Sequence, residues 1–192
     1  MQSLRSMEKA GLIAFSQEEE LRISQPEEPV EPGAPIRLSE EQEAAFRQIL
    51  SLTGTGRPEA VLLQGVTGSG KTQVYLRLVQ EVLSQGKTAM VLVPEIALTP
   101  SLLQIFLTHF GRQVAVLHSC LPTGERYDEW KRVRDGQASV VIGTRSAVFA
   151  PLPDPGLIIL DEEQEGSYQS ESMVRYHARE VAKFRCTQHK GL

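Results

Sequence analysis

A glycine-rich run followed by a lysine and a threonine is the part of the sequence whose residue types and spacing most clearly indicate chemistry. The run is Gly65-Val66-Thr67-Gly68-Ser69-Gly70-Lys71-Thr72. Glycines let a loop turn tightly and aim its backbone N–H groups at phosphate oxygens, and a helix that begins directly after the loop adds its positive end. In such a loop, Lys71 reaches the β- and γ-phosphates and the Thr72 hydroxyl binds Mg²⁺. The run therefore predicts a site for ATP and magnesium; the simpler alternative is a glycine-rich turn between a strand and a helix.

A cluster of acidic side chains follows the apolar residues 157–160 and is the expected second half of this site. The cluster consists of Asp161, Glu162 and Glu163, with Gln164 directly after it. A buried strand would deliver Asp161 to the carboxyl edge of a sheet, where ligands bind in open α/β folds. There Asp161 can hold Mg²⁺ through water, and Glu162 can orient or deprotonate the water that attacks the γ-phosphate. The alternative is an acidic loop exposed to solvent.

The stretch that begins at Ser39 has two interpretations. Ser39 and Gln42 have the spacing of a capping box, in which each side chain binds the other residue's backbone N–H at a helix start. Gln42 could also lie against an adenine edge, because an amide donates and accepts hydrogen bonds together. The two roles are compatible, and the pattern alone does not separate them.

Alternating helix and strand patterns would position these motifs. The predicted helices cover residues 40–52, 72–84, 100–110, 124–134 and 176–186, and the predicted strands cover residues 61–63, 89–93, 114–117, 139–142 and 157–160. The strands are short and apolar, as expected for strands buried on both faces. Such alternation predicts an α/β fold with a parallel sheet and helices on both sides.

Composition separates the start of the chain from the rest and limits the class of protein. Of the 192 residues, the first 36 carry seven acidic and three basic side chains, whereas the remainder is neutral in sum. Residues 1–24 are predicted to form a short helix and two short strands, residues 25–37 a linker rich in Pro and Glu, and residues 38–192 the main domain. No apolar run is long enough for a membrane span and no signal peptide is evident, so a reducing, intracellular location is expected. The net charge of −4 excludes a globally cationic nucleic-acid binder but allows a local basic groove.

Two longer motifs make a family resemblance specific. They are Pro-Glu-Ile-Ala-Leu-Thr-Pro at residues 94–100 and Gly-Thr-Arg-Ser-Ala-Val-Phe-Ala-Pro at residues 143–151. With the glycine-rich run, the acidic cluster, residues 117–119 and residues 125–126 with Trp130, they resemble the helicase core of the primosomal protein N′ (PriA) family of bacterial superfamily 2 helicases. The resemblance covers nearly all of residues 38–187. Residues 4–13 are weakly similar to the end of that family's winged-helix domain.

The resemblance implies an ATP-driven 3′-to-5′ DNA helicase with a RecA-like fold, which loads the replication machinery at stalled forks in the bacterial cytoplasm. Residues 94–100 and 143–146 correspond to its motifs Ia and Ib, which grip single-stranded DNA through phosphates. The implied phosphate contacts are Thr99, Thr144, Arg145 and Ser146. Helix capping is the alternative role for Thr99, and a surface ion pair is the alternative for Arg145.

Residues 167–179 resemble the aromatic-rich loop that couples DNA binding to ATP hydrolysis in that family. Tyr168, Tyr176 and His177 would stack on bases, although Tyr176 and His177 could instead begin the last helix. Two features depart from the family. Gln164 stands where the family usually has a histidine that links the nucleotide to neighbouring motifs, and Met173-Val174 replaces a more usual Gly-Pro pair.

Other parts of the family pattern are expected outside these 192 residues. These parts are motif III, a cysteine-rich zinc insertion and a second RecA-like domain that supplies arginine fingers. We therefore expect weak Mg-ATP binding, little turnover and no unwinding from the chain alone, with zinc bound only elsewhere. Four residues are not expected to bind zinc, because their spacing fits no usual ligand pair: His118, Cys120, Cys186 and His189.

Partners and competing functions follow from the same resemblance. The implied partners are forked or single-stranded DNA, other primosome proteins and single-stranded DNA-binding protein. The sequence leaves two alternatives open. One is another superfamily 2 DNA translocase, such as a branch-migration helicase. The other is a non-enzymatic fragment that binds a nucleotide or a partner without chemistry.

Overall fold

The computed structural model describes residues 35–192 apart from residues 54, 56 and 67, together with residues 7, 11 and 14. The α-helices within these residues are α1 (Glu40–Leu52), α2 (Lys71–Ser84), α3 (Pro100–Phe110), α4 (Thr123–Arg134) and α5 (Ala178–His189). The strands are β1 (Thr88–Leu92), β2 (Val114–Leu117), β3 (Val140–Gly143) and β4 (Pro155–Leu160). The segments predicted at residues 1–24 and nearly all of the predicted linker lie outside the described residues and stay predictions.

The strands form one parallel sheet in the order β2-β3-β1-β4. In the central pairings, Val91 lies opposite Ile142 of β3 and Ile159 of β4. All three pairings are parallel, so the chain returns across the sheet through a helix or loop between successive strands. The predicted α/β fold with a parallel sheet is confirmed.

Helices cover both faces of this sheet, and alternate strand residues point into two separate cores. On one face, Val91 of β1 joins a core that includes Leu76 and Val79 of α2, and helices α1 and α3 also contribute. On the other face, Met90 and neighbouring residues pack with helix α5 and with Val133 of α4. The period of two along a strand explains how one short, wholly apolar strand supplies both cores.

The predicted strand at residues 61–63 is wrong. No strand is assigned there, and Val61 and Leu62 are 43% and 73% exposed. The outer edge of β4 is bonded instead by the main chain of Leu192, whose N–H donates to Gly156 and whose carbonyl accepts from the Ile158 N–H. A strand needs a neighbour to satisfy its backbone, and within the described part of the chain residues 61–63 have none.

Helix α4 buries charged side chains against the outer edge of β2. Glu129 and Arg132, each at 2% exposure, form an ion pair of 2.8 Å. Glu129 accepts a hydrogen bond from the Val116 N–H, and Arg132 donates to the carbonyl oxygens of Val114 and Arg112. Burial raises the pKa of Glu129, and Arg132 opposes this shift. The pair therefore satisfies backbone groups that an edge strand otherwise exposes to solvent or to another chain.

No helix within the described residues combines the length and the apolar character that a bilayer-spanning segment needs.

Removing one member of the buried Glu129–Arg132 pair is expected to destabilise the fold. Glu129→Ala leaves the Arg132 guanidinium without its partner and should lower the free energy of unfolding by about 3–5 kcal/mol. As a control, Glu43→Ala removes the solvent-exposed pair with Arg47 and should cost less than about 1 kcal/mol. Chemical denaturation measures both values, and equal losses would contradict an edge-sealing role for Glu129.

Candidate nucleotide site

The glycine-rich loop leads directly into helix α2, as its sequence predicts. Gly68 and Gly70 have φ angles of +81° and +78°, a backbone region in which a side chain is strained, so the turn depends on glycine there. Gly70 is the N-cap of α2, and Lys71 is its first residue. The Lys71 ammonium donates to the Gly65 carbonyl oxygen at 2.9 Å, which holds the side chain back across the loop. Thr67 lies outside the described residues.

The acidic cluster lies beside this loop. A distance of 3.3 Å separates the Lys71 Nζ from the Glu162 Oε1, and the Gln164 amide donates to the other Glu162 oxygen at 2.8 Å. The hydrogen bond from Gln164 and the charge of Lys71 lower the pKa of Glu162, so this carboxylate is held in its ionised form. Glu162 also has a φ of +46°, which is uncommon for a residue with a side chain and is typical of strained functional positions.

Asp161 is held by two tyrosines from different elements. The Tyr75 hydroxyl on α2 donates to Asp161 Oδ1 at 3.0 Å. The Tyr168 hydroxyl lies 2.6 Å from the Asp161 carbonyl oxygen and 2.9 Å from that of Leu92, where it has one proton to share. Burial and the charge of Asp161 raise the pKa of both tyrosines, so both stay protonated donors. Tyr75 is not among the site residues predicted from the sequence; its position one helical turn after Thr72 is the signal that could have found it.

These residues present a suitable set of ligands for magnesium. Mg²⁺ prefers oxygen ligands and keeps several waters, and the Thr72 hydroxyl and Asp161 carboxylate are both of this type. Tyr75 lies one helical turn beyond Thr72 and contacts Asp161, so the start of α2 and the end of β4 meet at this point. The predicted juxtaposition of the two motifs is therefore present.

Gln42 contacts the loop as well as capping its own helix. Ser39 and Gln42 form both hydrogen bonds of a capping box, so that alternative is confirmed. The Gln42 amide nitrogen also donates to the Ser69 carbonyl oxygen at 2.9 Å. A side chain at position 70 would come within 2.5 Å of this nitrogen, so Gly70 permits the contact. The adenine contact stays a prediction, since both ends of the amide bind protein here.

The predicted phosphate contacts to DNA differ in exposure. Thr99 is exposed and caps α3 by accepting from the Leu102 N–H, which confirms its alternative role. Ser146 is exposed, whereas Thr144 is buried at 3% exposure. Arg145 forms no ion pair among the described residues; it donates to the carbonyl oxygens of Ser167 and Gln169. Within the described residues the Arg145 guanidinium thus binds main chain, and its surface ion pair stays a prediction.

The aromatic residues predicted to contact bases in the loop at residues 167–179 also differ in exposure. Tyr168 is fully buried at 0% exposure with its hydroxyl bonded to main chain, so the predicted base contact of Tyr168 is wrong for this structure. Tyr176 is half-buried, and its ring meets exposed Phe149 edge-on at 4.9 Å between centroids. Sequence reasoning did not assign a role to Phe149. The His177 side chain caps α5 by accepting from the Arg179 N–H, as its alternative interpretation proposed.

Changes around Glu162 should be visible in its titration. Gln164→Ala and Lys71→Ala each remove a group that stabilises the carboxylate, so each should raise the pKa of Glu162 toward its ordinary value. Carboxyl-carbon NMR titration measures this pKa. Arg179→Ala, which removes a 3.0 Å pair with Glu163 instead, should leave it unchanged. An unshifted value in both Gln164→Ala and Lys71→Ala would contradict the observed contacts.

Comparison with known proteins agrees with this geometry. A family model described as "DEAD/DEAH box helicase" matches residues 39–190. The chain is 46% identical to the replication restart protein PriA of Bacillus subtilis, over 97% of this chain and 23% of that protein. It is 47% identical to the Synechocystis PriA over 95% of this chain and 22% of the relative, and 50% identical to the Treponema pallidum PriA over 78% and 22%. The chain thus spans less than a quarter of the length of these relatives. On the family match, the parallel sheet with its phosphate-binding loop is RecA-like, and the chain belongs to the DEAD/DEAH box helicase family.

Proposed function

We propose that this chain is the ATP-binding part of a replication-restart DNA helicase. The observation that carries the proposal is the meeting of Lys71 and Glu162 at 3.3 Å between the glycine-rich loop and the end of β4. Two motifs far apart in sequence thus bring a cation and an ionised carboxylate together beside the start of helix α2. Membership of a helicase family and the similarity to proteins named replication restart protein PriA support the wider role.

Within this site, the residues have distinct proposed tasks. The backbone of residues 65–72 and the Lys71 ammonium bind the phosphates, while Thr72 and Asp161 hold Mg²⁺ and Gln42 lies on the adenine side. Bound magnesium supplies positive charge that neutralises the phosphates. Glu162 accepts a proton from the attacking water or orients that water, and Gln164 keeps Glu162 in the ionised form that this task needs.

Binding of a nucleotide would exchange contacts that already exist. Lys71 here donates to the Gly65 carbonyl oxygen and pairs with Glu162. Phosphate oxygens are stronger acceptors for the ammonium than the neutral Gly65 carbonyl oxygen, because hydrogen bonds between two charged groups are shorter and stronger. As Lys71 turns to the phosphates, Glu162 loses its cation and becomes available to the attacking water.

The DNA surface is proposed on the same edge of the sheet. Thr99 and Ser146 present exposed hydroxyls suited to phosphates, and Tyr176 with Phe149 presents an aromatic pair suited to an unpaired base. The Arg145 guanidinium lies 6.0 Å from the Tyr176 ring and could exchange its carbonyl partners for a phosphate. Thr144 would act through its buried position rather than by direct contact.

The remaining features of the whole protein are proposals of the same kind. They comprise 3′-to-5′ unwinding, partnership with primosome proteins and with single-stranded DNA-binding protein, action in the bacterial cytoplasm, and a zinc site outside this chain. The expected slow turnover of the chain alone also stays a prediction. Another superfamily 2 translocase is the competing enzymatic role, and a nucleotide-binding fragment without chemistry is the non-enzymatic one.

A lysine substitution tests the nucleotide site. Lys71→Ala should weaken binding of a fluorescent ATP analogue roughly 10- to 100-fold, because a charge-assisted hydrogen bond to phosphate is lost. Lys183→Ala is a matched control, since Lys183 lies on α5 and pairs with Glu180. Equilibrium titration of both variants gives the comparison. Equal affinities would contradict the proposed nucleotide site and favour a non-enzymatic fragment that binds a partner without chemistry.

An aromatic substitution tests the DNA surface. Phe149→Ala and Tyr176→Ala should each weaken binding of a fluorescent single-stranded oligonucleotide by about 1–3 kcal/mol, the range for loss of base stacking. Phe184→Ala is the matched control, because Phe184 is 63% exposed on α5 and outside the aromatic pair. Fluorescence anisotropy measures the affinities. A loss in the control as large as in the other two would show that the pair is not a specific base contact.

A further inference from the structure

Tyr75 connects helix α2 to the acidic end of β4. It lies one helical turn beyond Lys71 and Thr72, so its side chain is on the same side of the helix. The ring is 8% exposed and belongs to the core beneath the sheet face. Its hydroxyl nevertheless donates to the Asp161 carboxylate at 3.0 Å. A buried ring with a polar end directed at a proposed metal ligand calls for an explanation beyond packing.

We propose that Tyr75 is a positioning residue for magnesium, which fixes the direction of the Asp161 carboxylate before the metal binds. This inference depends on the proposed function of the site. A carboxylate at a strand end rotates freely about its side-chain bonds unless a neighbour restrains it. Groups that hydrogen-bond to a metal ligand orient it and lower the cost of ordering it on binding. Tyr75 supplies such a bond from a ring that core packing already immobilises.

The arrangement leaves Asp161 equipped for a metal. Tyr75 occupies Oδ1, whereas Oδ2 has no hydrogen-bond partner among the residues that the structure describes. The main chain of Asp161 is fixed separately, because its N–H donates to the Leu92 carbonyl oxygen and its own carbonyl accepts from Tyr168. Because hydrogen bonds fix both the main chain and Oδ1 of Asp161, the direction of Oδ2 is largely fixed as well.

Loss of the Tyr75 hydroxyl should have different effects if the residue only fills the core and if it positions Asp161. If Tyr75 served only to fill the core, phenylalanine would fill it equally well and the site would be unaffected. If the hydroxyl positions Asp161, its removal should change the response to metal and leave the phosphate contacts of Lys71 intact. The variant Tyr75→Phe therefore distinguishes the two roles.

The experiment titrates Mg²⁺ into the 192-residue chain in the presence of a fluorescent ATP analogue. Tyr75→Phe should raise the Mg²⁺ concentration at half-saturation roughly tenfold, the lower end of effects measured for such supporting residues. Affinity for the analogue in EDTA should be unchanged. Tyr127→Phe, on exposed Tyr127 of α4, is the matched control and should behave like the unmodified chain.

Three results would overturn the inference. A Mg²⁺ midpoint equal to that of the unmodified chain would show that the hydroxyl has no role at the metal. Equal weakening with magnesium and in EDTA would show a general effect on the pocket. If the unmodified chain binds the analogue with no dependence on Mg²⁺, the proposed function fails as well, which separates that failure from the first two.

Discussion

The parallel direction of the strands is the constraint on which the site depends. Parallel strands end at one edge, so β4 delivers Asp161 and Glu162 to the edge at which helix α2 brings Lys71 and Tyr75. Lys71 and Glu162 meet there across 3.3 Å, and Tyr75 meets Asp161 across 3.0 Å. Neither contact could form if β4 ran in the opposite direction, because the acidic cluster would then lie at the far end of the sheet.

Much of the site was predictable because its signals are local. The glycine-rich run prescribes positive φ angles and a following helix, and both are present at Gly68, Gly70 and Lys71. The capping box at Ser39 is equally local, as is the cap at Thr99. In each case the physics involves residues within three or four positions of one another, so a sequence pattern is sufficient.

The errors arose where a residue's role depends on distant partners. Residues 61–63 have a strand composition, but strand formation requires a neighbour and the edge of β4 is bonded by Leu192. Tyr168 is of a residue type that can stack on bases or fill a core, and only the fold decides that it is buried. The buried Glu129–Arg132 pair was also not predicted. Its side chains bind backbone groups of β2, and the sequence does not show that β2 lies beside α4.

The turn at Gly166–Tyr168 physically joins the two proposed binding surfaces. Tyr168 bonds the main chain of Leu92 and Asp161 on the nucleotide side, and Arg145 bonds the carbonyl oxygens on either side of Tyr168. If Arg145 exchanged those carbonyls for a DNA phosphate, the turn would lose its contacts with Arg145 and keep the hydrogen bonds of the Tyr168 hydroxyl. Tyr168 is therefore the residue that links the segment contacted by Arg145 to the main chain of Asp161.

The energetic scale of the Lys71–Glu162 pair suits a site that must change state. Lys71 and Glu162 are 19% and 37% exposed, so solvent screens their attraction and the pair contributes about 1 kcal/mol or less. A fully buried pair such as Glu129–Arg132 would cost several times more to separate, which fits a permanent structural role. Two ion pairs of the same kind therefore serve two purposes in this chain. Burial makes the Glu129–Arg132 pair a permanent contact at the edge of the sheet, whereas partial exposure leaves the Lys71–Glu162 pair weak enough for a nucleotide to displace.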